Sequence, residues 1–214
     1  MNQTPTTSVA QDFQQAFDYF NEHMFGGELP PCMILLQRKA KAYGYFWAKR
    51  WGESEGTPGT DEISINPSHM YRPDKETIST LVHEQAHCWQ EHFGEPSRKG
   101  YHNKEWANKM EEIGLMPSST GTEGGKRTGQ KVSHYIITGG LYEQLWTVLE
   151  EQGFKINWKE VNATGLNGKG PAKPKTRFKY SCECEEAVNF WAKPGVQAVC
   201  AVCDKPFVSE DSDE

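Results

Sequence analysis

Between Asp74 and Phe93 the apolar residues Ile78, Leu81, Val82, Trp89 and Phe93 recur at helical steps, and inside that stretch stands His83-Glu84-Gln85-Ala86-His87. On a helix, positions i and i+4 lie about one turn apart on nearly the same face. Two imidazoles so placed converge on one Zn²⁺, while the residue after the first His points toward the water that the metal binds. Zinc lowers the pKa of that water from roughly 15.7 toward 7, and a carboxylate beside it accepts the proton and later delivers it to a leaving amine. Glu84 is the candidate general base. Asp74 reads as the N-cap of this helix, and Gly94 with Pro96 ends it.

A catalytic zinc needs a third protein ligand and an open fourth position. The metzincin spacing would put a His six residues after His87, where Phe93 stands. His92 falls one residue early and reads as a surface His. His102, in Lys99-Gly100-Tyr101-His102, lies where the chain turns before a second helix from about Asn103 to Ile113, and is the favoured ligand. Glu105, Glu111 and Glu112 compete for the position as a carboxylate ligand. Cys88 reads as a small buried hydrophobe. His23, His69 and His134 have no partner in sequence and take packing or surface roles.

The rest of the chain supplies a small α+β frame. Phe13, Phe17, Phe20 and Met24 give Asp12 to Phe25 an apolar face and predict a helix ended by Gly26-Gly27. Met33 to Gln37, Ala42 to Ala48 and Glu62 to Asn66 have strand character, as do Ser133 to Thr138 and Phe154 to Trp158. Leu141 to Gln152 is a further helix, and Ser118 to Gln130, rich in Gly, Ser and Thr, a flexible insert. Tyr43, Tyr45, Phe46 and Trp47 belong to a strand that can border the cleft.

Four of the six cysteines crowd into 22 residues as Cys182-x-Cys184 and Cys200-x-x-Cys203, with a Lys193-Pro194-Gly195 turn between the pairs. Four thiolates close a tetrahedral structural zinc site, and a unit this small needs its metal to fold. Cysteines used this way, in a chain with no run of 18 apolar residues and a polar start, point to a cytoplasmic protein without a membrane segment. Seven Trp and 12% aromatic residues exclude global disorder. The net charge of -6 argues against nucleic acid as a partner of the chain as a whole, but Gly165 to Ser181 holds five basic residues and no acid. Lys173, Lys175, Arg177 and Lys179, with exposed rings such as Phe190 and Trp191, are therefore candidate nucleic-acid contacts, phosphates on the cations and bases on the rings. The acidic end, Glu210 to Glu214, competes for the same surface.

The order of motifs resembles a known family. Phe25-Gly26-Gly27-Glu28-Leu29-Pro30-Pro31, Ala42-Tyr43-Gly44-Tyr45-Phe46, Ile63-Ser64-Ile65-Asn66, the His-Glu-x-x-His helix and Gly100-Tyr101-His102 are together similar to the SprT-like zinc metallopeptidases, which include bacterial SprT and the DNA-protein crosslink protease Spartan. The resemblance spans about Phe13 to Leu115. It implies His83, His87 and His102 as zinc ligands, Glu84 as catalytic acid/base, and a peptidase that acts on proteins held on or crosslinked to DNA, single-stranded DNA included. The expected architecture is α+β: a zincin-like metallopeptidase core over 1–116, an insert with a strand-helix-strand extension over 117–161, a basic linker over 162–177, a zinc ribbon over 178–208 and an acidic tail over 209–214. Two Zn²⁺, one catalytic and one structural, and a monomer acting on protein complete the expectation. The rivals are a non-catalytic, zinc-containing DNA-binding or regulatory protein, and a zinc hydrolase of small amides or peptides that works without DNA.

Overall fold

The computed structural model describes residues 4–52, 59–160 and 177–209. The chain divides into two compact units, Met1–Gly168 and Lys169–Glu214.

In the first unit, helix α1 (Pro5–Phe25) begins earlier than the apolar periodicity from Asp12 predicts. Thr4 caps it by accepting the Thr7 N–H, and Pro5 fills a position whose missing N–H costs nothing. Strands β1 (Cys32–Leu36), β2 (Gly44–Trp51) and β3 (Thr60–Ile65) form a sheet in the order β1-β3-β2, with β1 parallel and β2 antiparallel to β3. The three strands fall where sequence placed them, with shifted ends. Strand β2 runs on to Trp51 because its register slips after Trp47: Lys49 adopts φ +51° and donates its N–H to Asp61 Oδ1 at 2.7 Å instead of to the ladder.

Helix α2 (Asp74–Phe93) carries the His-Glu-x-x-His run. Asp74 is not its cap. Pro73 occupies that position, and the Asp74 carboxylate accepts the Ile156 N–H at 2.9 Å and pairs with Lys159. Ile78, Leu81 and Val82 are fully buried, but the apolar stripe thins over the last turn, where Phe93 is exposed. Helix α3 (Lys104–Glu112) is capped by Asn103, which accepts the Trp106 N–H, and buries Trp106 and Met110, with Ile113 just beyond.

Strands β4 (Leu115–Ser118) and β5 (Ser133–Ile136) pair antiparallel. Helix α4 (Leu141–Glu151) stacks Tyr142 on Phe20, ring centroids 5.2 Å apart, and that hydroxyl donates to the Lys75 carbonyl at 2.5 Å. Gly114 permits this closure. At φ +88°, any Cβ there would lie 2.6 Å from the Tyr142 nitrogen. The strand expected over Phe154 to Trp158 does not form. The segment buries Phe154 and Ile156, but the Phe154 N–H goes to the Leu149 carbonyl, and two further backbone donors go to carboxylates, Ile156 N–H to Asp74 and Asn157 N–H to Asp12 at 2.8 Å, which replace a partner strand. The core lies between the four helices and the first sheet, built on Phe13, Phe17, Phe20, Ile63, Leu81 and Trp106.

The second unit holds β6 (Phe178–Ser181), β7 (Asn189–Ala192) and β8 (Val208–Ser209) in the antiparallel order β7-β6-β8. Phe190, expected to be exposed, is half-buried. It stacks on Tyr180 at 5.2 Å and meets Phe207 edge-on at 4.9 Å, since three rings are most of the apolar surface this unit can bury. Lys173, Lys175 and residues 210–214 lie outside the described residues. No helix among the described residues is long and apolar enough to cross a membrane.

Candidate metal centre

His83 and His87 project from one face of α2, and His102 enters from the loop that precedes α3. Each offers a ring nitrogen, and the three nitrogens lie within 4.8 Å of one another. Of the rivals for the third place, Glu105 accepts from Gln90 Nε2 at 2.6 Å and from the Glu95 N–H at 2.8 Å. Glu111 pairs with Arg127, and Glu112 with Lys109. His92 is exposed, as sequence placed it, and its Nε2 lies 2.6 Å from Oδ2 of buried Asp61. His23 bonds the Tyr19 carbonyl and His69 packs edge-on against Tyr43, both within the packing or surface roles expected.

Hydrogen bonds behind the imidazoles define which nitrogen stays free. Ser79 Oγ donates to the Glu76 carbonyl at 2.9 Å, so it accepts from His134 Nε2 at 2.8 Å. His134 Nδ1 is then an acceptor, and it takes the Nδ1–H of His83 at 3.0 Å, leaving His83 Nε2 as a lone pair. His102 Nδ1–H donates to the Gly129 carbonyl at 3.1 Å, again leaving Nε2 free. Backing of this kind orients metal-binding imidazoles. Sequence reasoning missed His134 because the partner that defines it lies 51 residues away.

Trp106 is the second residue sequence did not assign to the site. Fully buried, it stacks on His87 at 4.9 Å and 17°, and presents edges to His83 at 4.9 Å and His102 at 4.4 Å. One apolar wall thus holds three polar rings. Burial drives His83 well below the ordinary histidine value, His87 down to about 3, and His102 down despite the Gly129 carbonyl, so at neutral pH all three are uncharged. Three neutral imidazoles facing one another with free lone pairs in a desolvated pocket fit a divalent cation of the zinc kind.

Glu84 is 4% exposed, and burial pushes its carboxyl up to about 8, against the pull of Lys39 and the Phe46 N–H. It stands against β2 where that strand is bare: a Cβ on Gly44 would lie 2.9 Å from the Ser64 carbonyl oxygen and 3.1 Å from Glu84 Oε1. The three imidazoles, Glu84, His134 and the Tyr43–Ala48 stretch line a cleft of about 780 Å³. Gln85, on the opposite side of α2, donates to the Phe17 carbonyl at 2.9 Å and ties the helix to α1.

In the second unit Cys182, Cys184, Cys200 and Cys203 bring their sulfurs within 4.8 Å of one another, the single residue between the first two being no obstacle. Cys182 accepts the Val188 N–H at 3.2 Å, and the Lys205 N–H holds the Cys203 thiol below its usual range. Lys179 stands opposite Trp191 in the β6–β7 register, Trp191 is 61% exposed, and Arg177 is exposed just before β6.

The fold and this centre define a class: an α+β protein whose buried central helix carries a His-Glu-x-x-His run completed by a third imidazole from the next loop. A model of the SprT-like family matches residues 13–129, and the chain belongs to that family. The matched stretch contains every element of the three-imidazole centre except His134. The chain is also similar to a protein of Salmonella typhimurium described as an uncharacterized protein in the mucB 3' region, 46% identical over 59 residues, which are 28% of this chain and 80% of that protein. No solved structure matches it.

Proposed function

We propose that the protein is a zinc metalloendopeptidase of the SprT type, with His83, His87 and His102 as zinc ligands and Glu84 as general base and acid. The observation that carries this reading is the convergence of three uncharged imidazoles beside a buried carboxyl, all facing one cleft. Zinc, when bound, polarises the peptide carbonyl and acidifies the attacking water. Glu84, as the carboxylate, takes the proton from that water and returns it to the departing amine. His134 and Gly129 keep two of the imidazoles in the ligating tautomer, and Trp106 excludes water from behind them. Strand β2 is a sheet edge along the cleft, so an extended peptide laid beside Glu84 can pair with it.

The four cysteines hold a second, structural Zn²⁺ in a ribbon. The preferred substrates are proteins held on DNA, which the ribbon contacts through Lys179, Arg177 and Trp191, with Lys173 and Lys175 extending the basic run. The exposed ring of Trp191 opposite Lys179 supports this, since base stacking beside a cation is how single strands are held without sequence preference.

The test uses the full chain and Glu84→Gln with a DNA-binding protein, with and without single-stranded DNA, reading fragments and zinc content. Cleavage by the wild type that DNA stimulates, and a variant that keeps zinc but loses at least about 100-fold in rate, are expected. Equal activity of the two would remove Glu84 from the mechanism, and DNA binding without turnover would leave a non-catalytic zinc protein.

A further inference from the structure

We infer that Cys32, Asp61 and Cys88 form a further metal site, for a thiophilic divalent ion such as Zn²⁺, one turn along α2 from Glu84 and apart from the residues that line the cleft. Three elements meet there. Cys32 opens β1 and stands in register with Asp61 on β3, and Cys88 comes from α2. Cys88 and Asp61 are buried and Cys32 is half-buried.

The distances are those of a coordination shell. Cys32 Sγ lies 3.7 Å from Cys88 Sγ, Cys88 Sγ lies 3.8 Å from Asp61 Oδ2, and all three donor atoms fall within 4.8 Å of one another. Tetrahedral zinc with Zn–S near 2.3 Å and Zn–O near 2.0 Å separates two sulfurs by about 3.8 Å and a sulfur from an oxygen by about 3.5 Å. The same 3.7 Å separates Cys184 from Cys200 in the four-cysteine cluster. A disulfide would require a sulfur separation of about 2.05 Å.

The carboxylate is held for this role from both sides. Its Oδ1 accepts the Lys49 N–H at 2.7 Å, and its Oδ2 meets His92 Nε2 at 2.6 Å, the outer-partner arrangement that orients ligating groups. Two sulfur donors select zinc-like over magnesium- or calcium-like ions. His87 and Cys88 are consecutive on α2, about 100° apart around the helix, so an ion on Cys88 would pin to β1 and β3 the turn whose other face presents His87. Its role is to clamp that helix, and it does not depend on the peptidase reading.

The test is the metal content of the full chain, purified with zinc and without chelator, for wild type, Cys32→Ser and Cys88→Ala. Each variant should hold one zinc ion fewer per chain than the wild type. After loading with Co²⁺, the thiolate-to-cobalt absorption should fall by about a third, because two of the six cysteines leave the coordination shells. Cys32→Ser alters a half-buried position and keeps the test available should Cys88→Ala fail to fold. Equal metal content in wild type and Cys32→Ser would overturn the site. So would a Cys32–Cys88 disulfide-linked peptide in a non-reducing digest of the wild type.

Discussion

His134 shows how much a single side chain away from the motif decides. It takes the His83 proton on one nitrogen and gives its own to Ser79 on the other. His134→Ala should therefore weaken zinc binding about 10- to 100-fold, measured by competition with a chromophoric chelator. Unchanged affinity would mean that His83 finds its tautomer unaided. The same residue sets a pH dependence. Burial holds His87 and His134 at about 3, against the ordinary 6.5. Between these values the unfolded chain binds protons that the folded chain refuses. The folded state of the metal-free protein thus keeps its full stability above about pH 6.5 and loses up to about 1.4 kcal/mol per pH unit and imidazole as pH falls toward 3. Urea midpoints at pH 7 and 5 should fall less for His134→Gln than for the wild type, and parallel losses would contradict the assignment.

Among the elements, α2 is held from every side, and each tie is a different chemistry. Gln85 binds it to α1, Gly44 lets β2 approach Glu84, and Asp74 at its start accepts the backbone of the Phe154–Trp158 segment. Gly44→Ala should push β2 off the helix, because the new methyl would meet the Ser64 carbonyl and Thr80 at 2.9 Å; overpacking of this kind costs about 1–3 kcal/mol and should lower the thermal midpoint. Asp74→Ala should cost about 1–3 kcal/mol by orphaning the Ile156 N–H, and hydrogen exchange at Ile156 and Asn157 should accelerate while the α2 amides stay protected. Exchange equal to the wild type there would show that the segment is held by Phe154 and Ile156 alone.

The two units differ in what stabilises them. The first buries a run of aromatic and aliphatic side chains, each contributing about 1.5–3 kcal/mol, whereas the second has three rings and four cysteines. Strong chelation should accordingly unfold residues 177–209 and leave the first unit folded, read as protease cuts confined to the C-terminal part. Cuts spread through α1 and α2 would show that metal also holds the first core.

Much of this architecture can be read along the chain. The helices, the first three strands, the His-Glu-x-x-His run and the paired cysteines all depend on neighbours within a turn or a few residues, and periodicity and spacing record such neighbours directly. The approach of His102 to the two helix imidazoles is legible too, because it lies on the loop just after the helix. The misreadings share one cause. Asp74, Phe154 to Trp158, Phe190 and His134 each take their role from a residue far off in sequence. A carboxylate can serve as a cap, as a stand-in for a strand or as the partner of an imidazole. Which of these it becomes is decided by what the packed core brings within about 3 Å of it, since a buried polar group must find a partner wherever the fold supplies one.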